Sequence, residues 1–196
     1  MSYAKDYSGY GNAVLYRMCT ERRYHDDIDT IKSKLWIIGR AYSAAVERKA
    51  GPEFRIETVA TMLKESDIDK NIDELLKIDR TNNENLDVLL NAHYSLTKTL
   101  KNATSMAKRS LASKYLHFHA PRAVFIFDSI ANKKIRKLLA SHDGVFNCEG
   151  NYDDQYEAFV RRCIYFRDNI FEKEISACAS PRRIDMHLLG YENDFS

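Results

Sequence analysis

The chain has 196 residues, 44% of them hydrophobic and 30% charged, with three prolines and a formal net charge of +2. That balance belongs to a globular chain with one hydrophobic core, with room for two lobes, and it excludes a disordered one. No apolar run approaches the ~20 residues needed to span a bilayer, and no signal segment follows Met1, so a soluble cytoplasmic protein is expected. Cys19, Cys148, Cys163 and Cys178 form no C-x-x-C pair, so they read as reduced thiols, and their spacing predicts no metal site and no cofactor.

From Asp27 to Lys49, Ile28, Ile31, Leu35, Ile38, Tyr42 and Ala45 recur at helical spacing, and Gly51-Pro52 ends the pattern. Gly39 inside this helix costs about 1 kcal/mol against alanine, which implies a close approach by another segment. Further helices are expected over Glu57–Lys64, Asp69–Ile78 and Asn83–Lys101. Another runs from Ala103 to Phe118, with Ala107, Leu111, Lys114, Tyr115 and Phe118 on one face. Pro121 breaks it, and the bulky run Ala123–Phe127 reads as a buried extended connection. Asp128 is then the N-cap of a helix reaching about His142. After turn-rich residues 144–154, a long helix spans Tyr156 to Phe171, and Ser180-Pro181 starts a last one through Leu189. One all-α, compact, multi-helix domain covering 1–196 is expected, with its active site near 111–131.

Lys114 lies on an apolar stripe. Either it is desolvated, which lowers its pKa and makes it nucleophilic, or its stem packs while its amine reaches water. Asp128 follows Val124-Phe125-Ile126-Phe127 at a helix mouth, where it either caps the helix or faces a cation sheltered by the apolar flank. Lys98, Lys101, Lys108, Arg109, Lys114, Arg122, Lys133, Lys134, Arg136 and Lys137 crowd the middle of the chain, where any polyanion would bind. The DNA-contact candidates are Lys108, Arg109, His117, His119, Arg122, Lys133, Lys134 and Lys137. Tyr42, Tyr115, Phe118 and Phe127 are the aromatics offered for a base pocket. Arg40 and Arg48 either reach a substrate or pair with Glu47.

The string Ser113-Lys114-Tyr115-Leu116-His117-Phe118, with Val124-Phe125-Ile126-Phe127-Asp128-Ser129-Ile130-Ala131 after it, resembles the core of bacterial 8-oxoguanine DNA glycosylase-like proteins of the helix-hairpin-helix superfamily. The resemblance implies a lysine beginning a helix after the hairpin and an aspartate capping a helix further on, matched by Lys114 and Asp128. The hairpin itself is degenerate, because 105–110 lacks its glycine-rich turn. The implied activity is base excision from double-stranded DNA carrying a modified base, either oxidised guanine or a modified phage cytosine, with or without strand cleavage. The alternative is a non-catalytic DNA-binding module or adaptor of an anti-phage system, with defence proteins as partners.

Overall fold

In a computed structural model, residues 3–146, 148 and 150–191 are described, the side chains of residues 3–10 and 143–145 excepted. The described residues form helices and no strands. In chain order they are α1 Tyr3–Glu21, α2 Ile28–Ala41, α3 Ile56–Lys64, α4 Ile68–Leu76, α5 Leu86–Thr104, α6 Arg109–His119, α7 Ser129–Leu138, a 3-10 turn Ala140–Val145, and α8 Asp154–Phe166. A π turn, Arg167–Phe171, joins α8 to α9 Glu172–Ile175, and α10 Pro181–Leu189 follows. None is long and apolar enough to cross a membrane.

The sequence pattern missed α1, whose residues show little apolar periodicity, and it extended α2 too far. That helix stops at Ala41 because Ser43 adopts a left-handed conformation (φ 53°) and the Ala44 N–H turns back to the Gly39 carbonyl at 2.7 Å. The expected close approach at Gly39 is therefore made by the chain's own next turn. A Cβ there would lie 3.1 Å from Ala45 Cα and 3.3 Å from the Ala44 carbonyl oxygen. Alanine would gain about 1 kcal/mol in helix propensity. Yielding backbone is harder than a yielding side chain, however, and overpacking costs about 1–3 kcal/mol. Gly39→Ala is thus expected to lower the melting temperature by a few degrees, measurable by thermal unfolding; a rise would show that the turn accommodates the methyl.

The break between α5 and α6 also falls later than expected. Ser105 takes the left-handed conformation (φ 58°) that caps α5, and Ala107 stands outside both helices and exposed. The long helix expected over 156–171 is divided by the π turn, where the buried Arg167 donates to Asp168 and to the Thr81 carbonyl, each at 2.7 Å.

These helices form one compact domain with α6 at its centre. It packs against α1, α2, α4 and α5, and every residue from Leu111 to His119 is buried. The single apolar stripe expected of α6 is thus replaced by burial on all sides, which obliges its polar side chains to find partners inside. Ser113 and His117 find them in the extended run 123–127, whose backbone lacks a strand partner. The Ser113 hydroxyl accepts from the Phe127 N–H at 2.9 Å, and His117 Nδ1 meets the Val124 carbonyl at 2.7 Å. The Thr81 and Tyr156 hydroxyls donate to the Ala123 and Phe125 carbonyls at 2.5 and 2.9 Å. This run carries the chain from α6 to Asp128 at the start of α7.

Candidate functional site

Lys114 and Asp128 meet. Lys114 is 3% exposed, and its Nζ donates to the Tyr42 carbonyl at 2.9 Å, to Ser110 Oγ at 3.0 Å and to Asp128 Oδ2 at 3.3 Å. Three acceptors match the three protons of an ammonium. Burial nevertheless pulls the lysine below its ordinary pKa, with the Asp128 charge acting in the opposite sense. Asp128 does two things at once, since its Oδ1 accepts from the Ile130 N–H at 2.8 Å, which is the N-cap bond of α7. Its side chain is 27% exposed, so it is the solvent-facing member of the pair.

α10 closes the other side of this cluster. The Arg182 guanidinium pairs with Asp185 one helical turn along and lies 5.6 Å from the centre of the Tyr42 ring. Lys114 Nζ lies 6.0 Å from the same centre. Burial pushes the Asp185 carboxyl up to about 6, against the lowering influence of Arg182 and Lys114. Its Oδ1 is buried and accepts no hydrogen bond from the described residues. The Tyr42 hydroxyl donates to Asn12 Oδ1 at 2.6 Å, which ties α1 to the site. Sequence reasoning gave no role to Asp185, Arg182, Asn12 or Ser110. The string Ser180–Asp185 stands out in the sequence without indicating a role, since an i, i+3 Arg–Asp pair behind a Ser-Pro helix start is common to ordinary helices.

The other nominated residues separate into surface and interior. Arg109, Phe127, Ser129, Asn132, Lys133, Arg136, Lys137 and Gln155 line an open cavity of about 540 Å³ with no carboxylate among them. Phe127 and Ser129 flank Asp128 along the chain, while neither Asp128 nor Lys114 lines the cavity. Arg109 is braced there by Asp153 at 2.6 Å and Gln155 at 2.9 Å, with its guanidinium 5.5 Å from the centre of the Phe127 ring. Lys134 donates to the His187 carbonyl at 3.1 Å and Lys108 to the Arg48 carbonyl. Arg122, exposed, pairs with Asp79 at 2.8 Å. Arg40 pairs with Glu47, the second of the two options that the sequence left open for it, and Arg48 is exposed.

His117 and His119 are not on a DNA-facing surface, because α6 is enclosed on all sides. Burial lowers His117 to about 4, leaving a neutral ring whose Nδ1–H donates to Val124 and whose Nε2 accepts from the Tyr16 hydroxyl at 2.7 Å. His119 Nδ1 donates to the Tyr115 carbonyl at 2.9 Å and its Nε2 accepts from the buried Lys34 at 3.2 Å. Tyr115 and Phe118 are core residues at 0% and 1% exposure, with no open face on which to stack a base. The Tyr115 hydroxyl is held 2.7 Å from His25 Nε2, whose other nitrogen meets Asp69 at 2.5 Å. Of the four nominated aromatics, Phe127 alone lines the cavity and Tyr42 alone touches the Lys114 cluster.

No family model, no curated protein and no solved structure matches the chain.

Proposed function

We propose that the protein is a DNA glycosylase in which Lys114 is the nucleophile and Asp128 the carboxylate that faces the developing sugar cation. The observation that supports this reading is the contact itself. Two residues fourteen positions apart, one desolvated and one 27% exposed, are brought within 3.3 Å, and both chain neighbours of Asp128 line a cation-rich cavity. A duplex laid along α7 would place phosphates against Lys133, Arg136 and Lys137, and an extruded nucleotide would reach Lys114 past Asp128. Phe127 offers a ring face, and Asn132 and Gln155 offer amides able to read a base edge. The neutral amine attacks C1′ as the glycosidic bond breaks, and one of its protons goes to the departing base. Opening of the C1′–O4′ bond then gives the imine, the second proton passing to O4′, and uptake of one water later hydrolyses the imine and frees Lys114.

A second reading has its own support. Lys114 is 3% exposed with all three of its acceptors in place, as a structural lysine would be, and this favours a DNA-binding module or defence-system adaptor that uses the α7 groove without chemistry. Incubation with duplexes carrying oxidised guanine or modified cytosine, in the presence of borohydride, separates the two. A trapped covalent adduct supports the glycosylase; binding with neither a trapped adduct nor base release supports the module.

Both readings require the groove to bind phosphate. Binding to duplex DNA is expected to weaken steeply with salt, and Lys133→Glu, Arg136→Glu and Lys137→Glu should each flatten the log–log slope by roughly 0.9 per lost contact. Titrations at several salt concentrations measure this. A slope unchanged in all three variants would place any DNA footprint elsewhere.

A further inference from the structure

The chain from the 3-10 turn to α8 carries a cluster that neither the Lys114 site nor the groove uses. Asp154 and Glu157 stand three residues apart on the first turn of α8, hence on one face. Cys148 folds back over that face, its thiol donating to the Asp154 backbone carbonyl at 3.2 Å. The sulfur and one carboxylate oxygen of each acid all lie within 4.8 Å of one another. Glu157 is 1% exposed; its Oε1 accepts from Arg161 at 2.8 and 2.9 Å, yet its Oε2 is buried and accepts nothing from the described residues. A buried carboxylate oxygen without a donor costs free energy unless something else satisfies it.

We propose that Cys148, Asp154 and Glu157 bind a divalent cation of the zinc class, with Glu157 Oε2 as the buried ligand. One sulfur with two carboxylate oxygens suits zinc or cobalt and not magnesium or calcium, which take oxygen ligands alone. Zinc–sulfur and zinc–oxygen bonds of about 2.3 and 2.0 Å require the three atoms to draw together by roughly 1 Å from the widest spacing allowed here. The charges balance as well: a thiolate and two carboxylates carry three negative charges, Arg161 supplies one positive, and a divalent ion supplies the rest. The ion ties the 140–153 connection to the start of α8. That turn begins at Asp153, which caps α8 and braces Arg109, so the metal would stiffen one wall of the groove.

The experiment is titration of the full chain with Co²⁺ and with Zn²⁺. One equivalent of Co²⁺ is expected to produce a thiolate-to-cobalt charge-transfer band, and Zn²⁺ to raise the melting temperature by several degrees. Cys148→Ser, a half-buried connection residue whose replacement leaves the helices intact, should abolish the band and weaken zinc binding at least tenfold. Asp154→Asn, at an exposed position, should also weaken it at least tenfold, while Cys178→Ser, removing an exposed cysteine elsewhere, should change nothing. A parent protein that gives no band, or a band and thermal shift that survive Cys148→Ser, would overturn the proposal. The readouts are spectroscopic and thermal, so they stand whether or not the protein excises a base.

Discussion

Lys114→Met is expected to fold like the parent, to give no borohydride-trapped adduct and to lose at least two orders of magnitude in excision, the contribution of one well-placed reacting group. Its stability follows from the surroundings. Removing the amine leaves the Tyr42 carbonyl and Ser110 Oγ without this donor, at a cost of about 1–3 kcal/mol for a buried acceptor left unpaired. It also relieves the chain of a desolvated cation, and the unbranched thioether fills much the same space. A change of a few degrees in melting temperature is therefore expected, against a loss of activity too large for instability to explain. The parent's pH profile supplies a second readout. Only the neutral amine attacks, so activity rises as pH climbs through the lysine's pKa. Burial lowers that pKa, so the rise is expected to begin below the range of a free lysine. Trapping that persists in Lys114→Met would remove Lys114 as the nucleophile, whatever the thermal data show.

The sequence carried the placement of Lys114 and Asp128 further than it carried their surroundings, and the reason is local chemistry. Asp128 was legible as an N-cap because capping is decided within three residues, and Ile126-Phe127 before it could only be buried. The run 123–127 was legible as extended because Pro121 forbids a continuous helix and five apolar residues in a row suit full burial. What escaped depends on distant partners. His117 and His119 look like surface ligands in sequence, but α6 is enclosed by four other helices, and their ring nitrogens serve Val124, Tyr16, Tyr115 and Lys34. The stop of α2 at Ala41 was hidden because it comes from a left-handed serine and not from a glycine or proline. Asp185 escaped because what sets it apart, a buried oxygen without a donor close to Lys114 and Asp128, depends on residues far away in the chain. The cysteine spacing compared thiols only with one another, and so did not weigh the carboxylates six and nine residues beyond Cys148, on which the proposed cation site rests.

Asp128→Asn is the variant that divides capping from catalysis. Asparagine caps helices about as well as aspartate, so the bond from the Ile130 N–H survives, whereas alanine would cost about 1 kcal/mol. Lost instead is the negative charge beside Lys114. Loss of that charge leaves the buried Lys114 its Tyr42 and Ser110 acceptors. Because burial already lowers the lysine's pKa, the amine can shed its proton instead of standing as an unpaired buried cation, so the cost to stability stays small. In the transition state the same charge would face a sugar cation, an interaction worth roughly 3 kcal/mol or over a hundredfold in rate. The expected result is a near-parental melting temperature and DNA affinity with a single-turnover rate down by more than a hundredfold. The pH profile should move too. The Asp128 charge holds the Lys114 pKa up against burial, so its removal lets that pKa fall further and shifts the rise in rate to lower pH. A structural cap would leave both the rate and its pH dependence alone. A rate within about threefold of the parent, less than 1 kcal/mol in barrier height, would make Asp128 a cap and nothing more, and the glycosylase reading would fall with it.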